Sequence, residues 1–268
     1  MTEPRQDRIA VGVDVGGSGI KVAVVDVASG TLIGPRLRVP TPQPSTPDAV
    51  VPTILRTVRR ALAEAGVDGR NVPVGVGMPT VVLDGVTKTA ANIDQGWVDY
   101  DLTAHLQPEL RGAVIVLNDA DAAGLAEMRF GAGAGERGVV VVLTLGTGLG
   151  SGLLNDGVLV PNTELGHMEI RGRVAERRSA AVARTRRGLS WKAWASDLDE
   201  HLHAIDKLFW PNLIILGGGV SKNSDKFIPR LTVRPRVVPA TLRNDAGIVG
   251  AAMAAAEEFV DGDRTANG

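Results

Sequence analysis

The sequence predicts an α/β protein whose buried strands lie beneath alanine-rich helices and whose chain is organised in two halves. Three observations carry this expectation. The 268 residues suffice for one large domain or two modest ones, because a single core stops growing at roughly 250–300 residues. Hydrophobic residues make up 44% of the chain but aromatics only 3%, so Val, Ala, Leu and Ile carry the apolar mass, as strands covered by small-residue helices require. A glycine-turned hairpin opens the chain, and a second begins near residue 139. No short-period repeat accompanies this echo.

The same composition narrows the function. A charged fraction of 22% and a net charge of -1 exclude general disorder and argue against a nucleic-acid partner. The chain has no cysteine, which removes disulfides, thiol nucleophiles and Cys-ligated metals. No apolar run approaches the ~20 residues that span a bilayer, and the opening MTEPRQDR does not read as a secretory signal. A soluble, cytoplasmic enzyme or ligand-binding protein with no membrane partner is expected.

In chain order, Ile9–Val13 and Ile20–Val27 form a hairpin turned by Gly16–Gly19, and Thr31–Val39 adds a strand. Thr46 is the expected N-cap of a helix with Pro47 at its first position and Gly66 at its close. Pro52 should either kink that helix or mark where its regular part begins. Val72–Val76 is a strand, and Asp84-Gly85 turns a hairpin within Thr80–Thr89. A strand at Val114–Leu117 leads into a helix from about Ala120 to Phe130. Val139–Thr144 and Leu153–Val160 are strands, the latter turning at Asn155-Asp156-Gly157. Helices are expected at about Ala175–Arg186 and Trp191–Leu208, a core strand at Leu213–Leu216, and a helix at Gly247–Phe259. The polar segment Asp261–Gly268 reads as a flexible tail.

The glycine clusters follow strands, where they bear on chemistry. Asp14-Val15-Gly16-Gly17-Ser18-Gly19-Ile20-Lys21 sets a carboxylate before a turn whose backbone N–H groups can converge on an anion, with Ser18 adding a hydroxyl. A carboxylate beside phosphates needs a divalent cation between them, so Asp14 is a candidate for holding Mg²⁺ through water. Thr144, Gly146, Thr147, Gly148 and Gly150 repeat this pattern, and Gly217, Gly218 and Gly219 form a third such loop. Together they point to phosphoryl chemistry. The chain lacks G-x-x-x-x-G-K-[ST], and its G-x-G-x-x-G at Gly133, Gly135 and Gly138 follows a helix, the wrong order for a dinucleotide site.

Asn118-Asp119 stands at a strand tip and suits a polyol: the amide positions hydroxyls while Asp119 accepts the proton of the attacking one. Asp121 reads simply as an acid favouring the helix N-terminus. Glu164 and His167, separated by Leu165-Gly166 after a Pro161-Asn162-Thr163 loop, read as a binding turn.

The segments DVGGSGIK, LNDADAAGLAE, LTLGTGLGSG, VPNTELGHMEIRG, LGGGVSK and LRNDAGIVGAA resemble polyphosphate glucokinases, the actinobacterial branch of the ROK (repressor, open reading frame, kinase) sugar kinases. The likeness runs from about Val11 to Ala256. It implies an actin-like ATPase fold of the hexokinase, ribonuclease H-like type, with two α/β domains around a cleft. Residues 1–118 with about 245–260 would form the smaller domain and 119–244 the larger. The resemblance also implies Asp119 as catalytic base, with Asn92, Asn118, Glu164, His167 and Glu176 holding glucose. Asp14–Lys21, Thr144–Gly150 and Gly217–Ser221 would hold the phosphates of inorganic polyphosphate or ATP. It further implies Mg²⁺ and a homodimer. Many ROK members carry a zinc bound by one His and three Cys; this chain has no Cys, so no zinc is expected. Where the family has Pro-Gly, this chain has Pro79-Thr80, a departure that bears on sugar selectivity.

Between Arg171 and Arg187 lie seven arginines and one glutamate. Arg184, Arg186 and Arg187 are candidates for a track guiding a polyanion, against the plainer reading of a solvated helical face. The competing functions are a strictly ATP-dependent glucokinase or a glucomannokinase. More remote ones are a non-catalytic sugar sensor, a repressor (for which the first strand at Ile9 leaves no DNA-binding domain) and an actin-like filament protein.

Overall fold

The computed structural model describes residues 8–91 and 93–266 in backbone and, up to residue 257, in side chain. The chain divides into two compact units, Met1–Ala126 with Asp245–Gly268, and Glu127–Asn244.

The first unit contains β1 (Ile9–Gly16), β2 (Gly19–Asp26), β3 (Thr31–Val39), α1 (Pro47–Glu64) and β4 (Val74–Met78). A small antiparallel sheet follows, made of β5 (Val82–Leu83), β6 (Val86–Thr87) and β7 (Tyr100–Asp101), and then α2 (Leu102–Leu106) and β8 (Val114–Asn118). The helix α3 (Asp119–Phe130) leads out of this unit. Its main sheet has the order β3-β2-β1-β4-β8, with β1, β4 and β8 parallel and the two hairpin partners antiparallel. Asp84 and Gly85 both have positive φ, at 50° and 79°, the conformation of a two-residue hairpin turn. Odd-numbered side chains of β1 join a core with Val50, Ile54 and Val58 of α1.

The second unit comprises β9 (Val139–Leu145), β10 (Leu149–Asn155), β11 (Val158–Val160), β12 (Glu169–Ile170), β13 (Arg173–Val174), α4 (Glu176–Ser179), α5 (Ala181–Arg186), α6 (Trp191–Phe209), β14 (Leu213–Gly217) and β15 (Arg236–Pro239). Its main sheet has the order β11-β10-β9-β14-β15, with β9, β14 and β15 parallel. Strand for strand, this is the topology of the first sheet. Trp194, Leu198, Leu202 and Ile205 of α6 pack into its core.

The last helix, α7 (Ala246–Ala266), returns to the first sheet and packs on β1, β4 and β8. It lies on the face that carries the even residues of β1 and the glycines of β4, opposite α1. The approach is backbone to backbone: a Cβ at Gly12 would stand 1.9 Å from the Ile248 oxygen, and one at Gly75 1.8 Å from that of Ala251.

Several sequence expectations need correction. The first unit extends through Ala126 rather than ending at residue 118, because a Cβ at Gly250 would stand only 1.7 Å from the Ala122 oxygen, so α7 seats the first turns of α3. α7 continues to Ala266, so most of the segment expected to be a tail is helical. Thr46 occupies the N-cap position, but its side chain makes no capping bond; its carbonyl accepts from Ala49 and Val50 instead. Pro52 lies inside α1, which begins at Pro47. The single helix expected at 175–186 is broken at Ala180, whose ψ of 152° is extended. Trp194 is buried in the core, whereas Trp210 is 68% exposed beneath the Arg234 guanidinium.

Candidate active site

In the first unit the parallel strands bring three tips to one edge. Asp14 pairs in register with Gly77, and Gly77 with Leu117. The Gly16–Gly19 turn, Asn118 and Asp119 therefore lie at the carboxyl edge of the sheet, where α/β proteins bind ligands. Asp119 is half-buried and is the first residue of α3, where the helix dipole favours a carboxylate. Asn118 is buried, and its Oδ1 accepts from the Ala120 and Asp121 amides at 2.8 and 3.1 Å while its Nδ2 donates to the Thr80 carbonyl at 3.0 Å. The side chain thus caps α3 and holds the Thr80 loop, leaving one N–H for another partner. Asp121, read as a simple helix-terminal acid, is 1% exposed.

Asp14 and Lys21 face each other across β1 and β2, with Lys21 Nζ donating to Asp14 Oδ2 at 2.5 Å. A Cβ at Gly247 would lie 3.2 Å from Asp14 Cγ, so α7 begins against this carboxylate. Three carbonyls of the turn are held by side chains: Gly16 by Thr41 Oγ1, Gly17 by Gln43 Nε2 and Ser18 by Arg38 Nη2. Gly17 and Ser18 are exposed. Asn92 lies outside the described residues.

In the second unit the corresponding turn, Thr144–Gly150, joins β9 to β10 and exposes Gly146 and Thr147. The Gly217–Gly219 loop packs against it: Thr144 is in register with Gly217, and a Cβ at Gly218, whose φ is 80°, would stand 2.3 Å from the Leu145 oxygen. The Glu164–His167 segment docks beside the same hairpin. Ser151 Oγ donates to the Thr163 carbonyl at 2.6 Å and accepts from the Leu165 amide at 2.9 Å. Glu176 Oε2 accepts from the Leu149 amide at 2.9 Å, and His167 Nδ1 stands 3.5 Å from Glu164 Oε2. Glu164, His167 and Glu176 are thereby gathered next to the second glycine turn. Burial pushes the Glu164 carboxyl above its usual range; His167 opposes the rise and Glu176 adds to it.

The arginine run is largely committed. Arg178 pairs with Asp197 and Glu200, Arg187 with Asp197, and Arg171 with Glu200. Arg186 donates to the Arg177 carbonyl. Arg184 instead lies 3.8 Å over the Trp191 ring, which Lys226 also approaches at 5.7 Å. The break at Ala180 has a use here, because it lets the Val182 amide donate to the Gly146 carbonyl at 3.1 Å, joining α5 to the glycine turn. Sequence reasoning missed Lys226 and also Ser151, Ser179 and His201, since none carries a spacing signal.

The ROK family model matches residues 10–188. The chain belongs to the ROK family. Within it, the polyphosphate glucokinase of Mycobacterium tuberculosis is 48% identical over 248 residues, covering 92% of this chain and 91% of the relative. The crystal structure of inorganic polyphosphate/ATP-glucomannokinase from Arthrobacter sp. strain KM matches with a TM-score of 0.90 and 49% identity, over 93% of this chain and 99% of that one. A Streptomyces griseus ROK family glucokinase, solved with glucose and AMPPNP, matches with a TM-score of 0.78 and 26% identity, over 93% and 99%. The ROK assignment also establishes the actin-like fold. Among the described residues, no helix is long and apolar enough to cross a membrane.

Proposed function

We propose that this ROK protein moves the terminal phosphoryl group of inorganic polyphosphate, and of ATP, to the 6-hydroxyl of glucose. The observation that carries the reading is Asp119 at the tip of β8, on the strand edge that also bears the Asp14–Lys21 glycine turn. The 48% identity with a polyphosphate glucokinase over nearly the whole chain supports the donor.

Asp119 takes the proton of the 6-hydroxyl as that oxygen forms its bond to the terminal phosphorus; the bridging P–O bond breaks and the shortened donor leaves with the electron pair. Asn118, capped into α3, fixes the direction of Asp119 and offers its remaining N–H to the sugar. Glu164, His167 and Glu176 accept and donate to the other hydroxyls, and Asn92 is proposed as a further sugar ligand. The N–H groups of Gly16–Gly19, with Ser18 and Lys21, those of Thr144–Gly150, and those of Gly217–Gly219 hold the donor oxygens.

Magnesium fits this arrangement in one way. No group of three or more His, Asp or Glu side chains able to hold a metal occurs among the described residues, and Asp14 offers a single carboxylate. Mg²⁺ commonly binds one or two carboxylates and substrate phosphates while keeping several waters, so Asp14 would hold it through water and the donor would supply the rest. Bound there, it neutralises phosphate charge.

Along the donor side we place the outer phosphates of a long chain near Arg184, with Lys226 joining it and Arg186 beyond. Arg187 is occupied by Asp197. Mannose as a second acceptor is favoured by the likeness to the Arthrobacter glucomannokinase. A homodimer is the proposed assembly, supported by the exposure of Leu208 and Trp210; a monomer mass by light scattering would count against it. The test of function is initial glucose 6-phosphate formation with polyphosphate and with ATP at matched Mg²⁺. Turnover with ATP alone would restrict the enzyme to the nucleotide, and turnover with neither would remove the assignment.

A further inference from the structure

His201 sits in the middle of α6 and is 1% exposed. A buried imidazole needs partners for both ring nitrogens. His201 finds them on two segments of the candidate sugar side: Nε2 lies 3.0 Å from the Leu165 carbonyl and Nδ1 lies 2.8 Å from Ser179 Oγ. Leu165 lies between Glu164 and His167, and Ser179 closes the short helix that begins with Glu176.

Burial favours the neutral ring, and the two bonds then fit one tautomer of it. The Leu165 carbonyl can only accept, so Nε2 carries the hydrogen and Nδ1 accepts the Ser179 hydroxyl proton. The Ala175 carbonyl, the other acceptor within reach of Ser179 Oγ, already receives the Arg178 and Ser179 amides. The neutral tautomer therefore leaves no group unsatisfied. Burial also holds the imidazole below its ordinary pKa.

We propose that His201 is a positioning residue for hexose binding, setting the spacing between the Glu164–His167 turn and the Glu176 helix by bonding to both at once. This rests on the reading that those three side chains hold the sugar. Both segments are short, α4 having 4 residues and the turn 3. Neither is long enough to hold its own geometry. Ser151 anchors the turn and the Leu149 amide meets Glu176, and the imidazole adds the side-chain bridge that bonds to both segments at once.

The experiment compares His201→Leu, His201→Gln, Ser179→Ala and Glu164→Gln by steady-state kinetics with glucose and polyphosphate. Leu removes both bonds, and glucose KM should rise about tenfold, the size of two net hydrogen bonds at the low end of their range, with kcat and polyphosphate KM within about twofold of wild type. Gln can donate to Leu165 and accept from Ser179, and should recover most of the loss. Ser179→Ala keeps the imidazole and drops one bond, so glucose KM should rise about threefold. Wild-type glucose KM in both His201→Leu and Ser179→Ala, alongside a raised KM in Glu164→Gln, overturns the proposal. So does a uniform fall in kcat that Gln does not rescue, which would mark plain structural damage. Should Leu fail to fold, Ser179→Ala decides alone. An unchanged glucose KM in Glu164→Gln sinks the sugar-side reading itself, whichever way His201 behaves.

Discussion

Asparagine at position 119 would keep the shape of the side chain and its place at the start of α3 while removing the basic oxygen. Asp119→Asn should therefore bind glucose with near-normal affinity yet lose at least ~10²-fold in kcat; turnover close to wild type would take Asp119 out of the role. Glu164 makes a second prediction, about pH. Its carboxyl is held above the usual range mainly by burial, so the folded protein holds that proton where an unfolded chain would release it. Stability from this group is greatest at acid pH and declines as pH rises from the ordinary glutamate value through the raised one. Sugar binding should run the other way, because only the ionised form accepts from two hydroxyls. Glucose KM should climb as pH falls through the raised value, and Glu164→Gln should flatten that climb; identical profiles would separate Glu164 from the sugar. The placement of Asp119 at a strand tip and of Glu164 at the head of a turn was legible in the sequence, because each follows a strand or loop and is flanked by residues with chemistry of their own. Asp121 does stand in the first turn of α3, as read; its burial was not legible, since a helix-start acid looks the same in sequence whether it faces water or, as here, the interior.

Among the elements, α5 shows what local patterning can and cannot tell. Seven arginines in one stretch advertise a basic surface, but the sequence does not reveal that Asp197 and Glu200 reach across from α6 to pair with three of them. Arg184 and Lys226 converge on Trp191 without an ion pair among the described residues. Replacing both with Ala should raise KM for long-chain polyphosphate about tenfold at low salt and flatten its dependence on ionic strength, since exposed charges are screened over about 8 Å at physiological salt. Arg187→Ala should change neither. Equal salt slopes in all variants would make the pair a simple cation–π stack. The break at Ala180 was equally hidden, because no proline or glycine marks it; the Val182–Gly146 bond that accompanies it joins residues far apart in sequence.

Across the whole molecule, the recurrence of a glycine-turned hairpin was visible in the sequence, and the structure extends it to two five-stranded sheets of the same order. The dividing point between units was less legible, since it falls inside a helix. Glu127, the first residue of the second unit, is fully buried and accepts from the amides of Ala132, Thr241 and Leu242. One carboxylate thereby ties the residues beside both places where the chain passes between units. Glu127→Ala would strand three N–H donors and should cost at least about 2 kcal/mol in urea unfolding; a loss under about 0.5 kcal/mol would mean water replaces it.

The first unit is built from discontinuous sequence, and that has a bearing on synthesis. The second unit emerges from the ribosome as one continuous stretch and can complete its sheet while translation proceeds. The first has all its strands early but lacks the helix that seals one face of β1 and β4 until residues 246–266 arrive. During that interval a nascent chain presents small, tightly contoured backbone grooves at Gly12 and Gly75 with nothing to fill them, so the half made first is the half finished last.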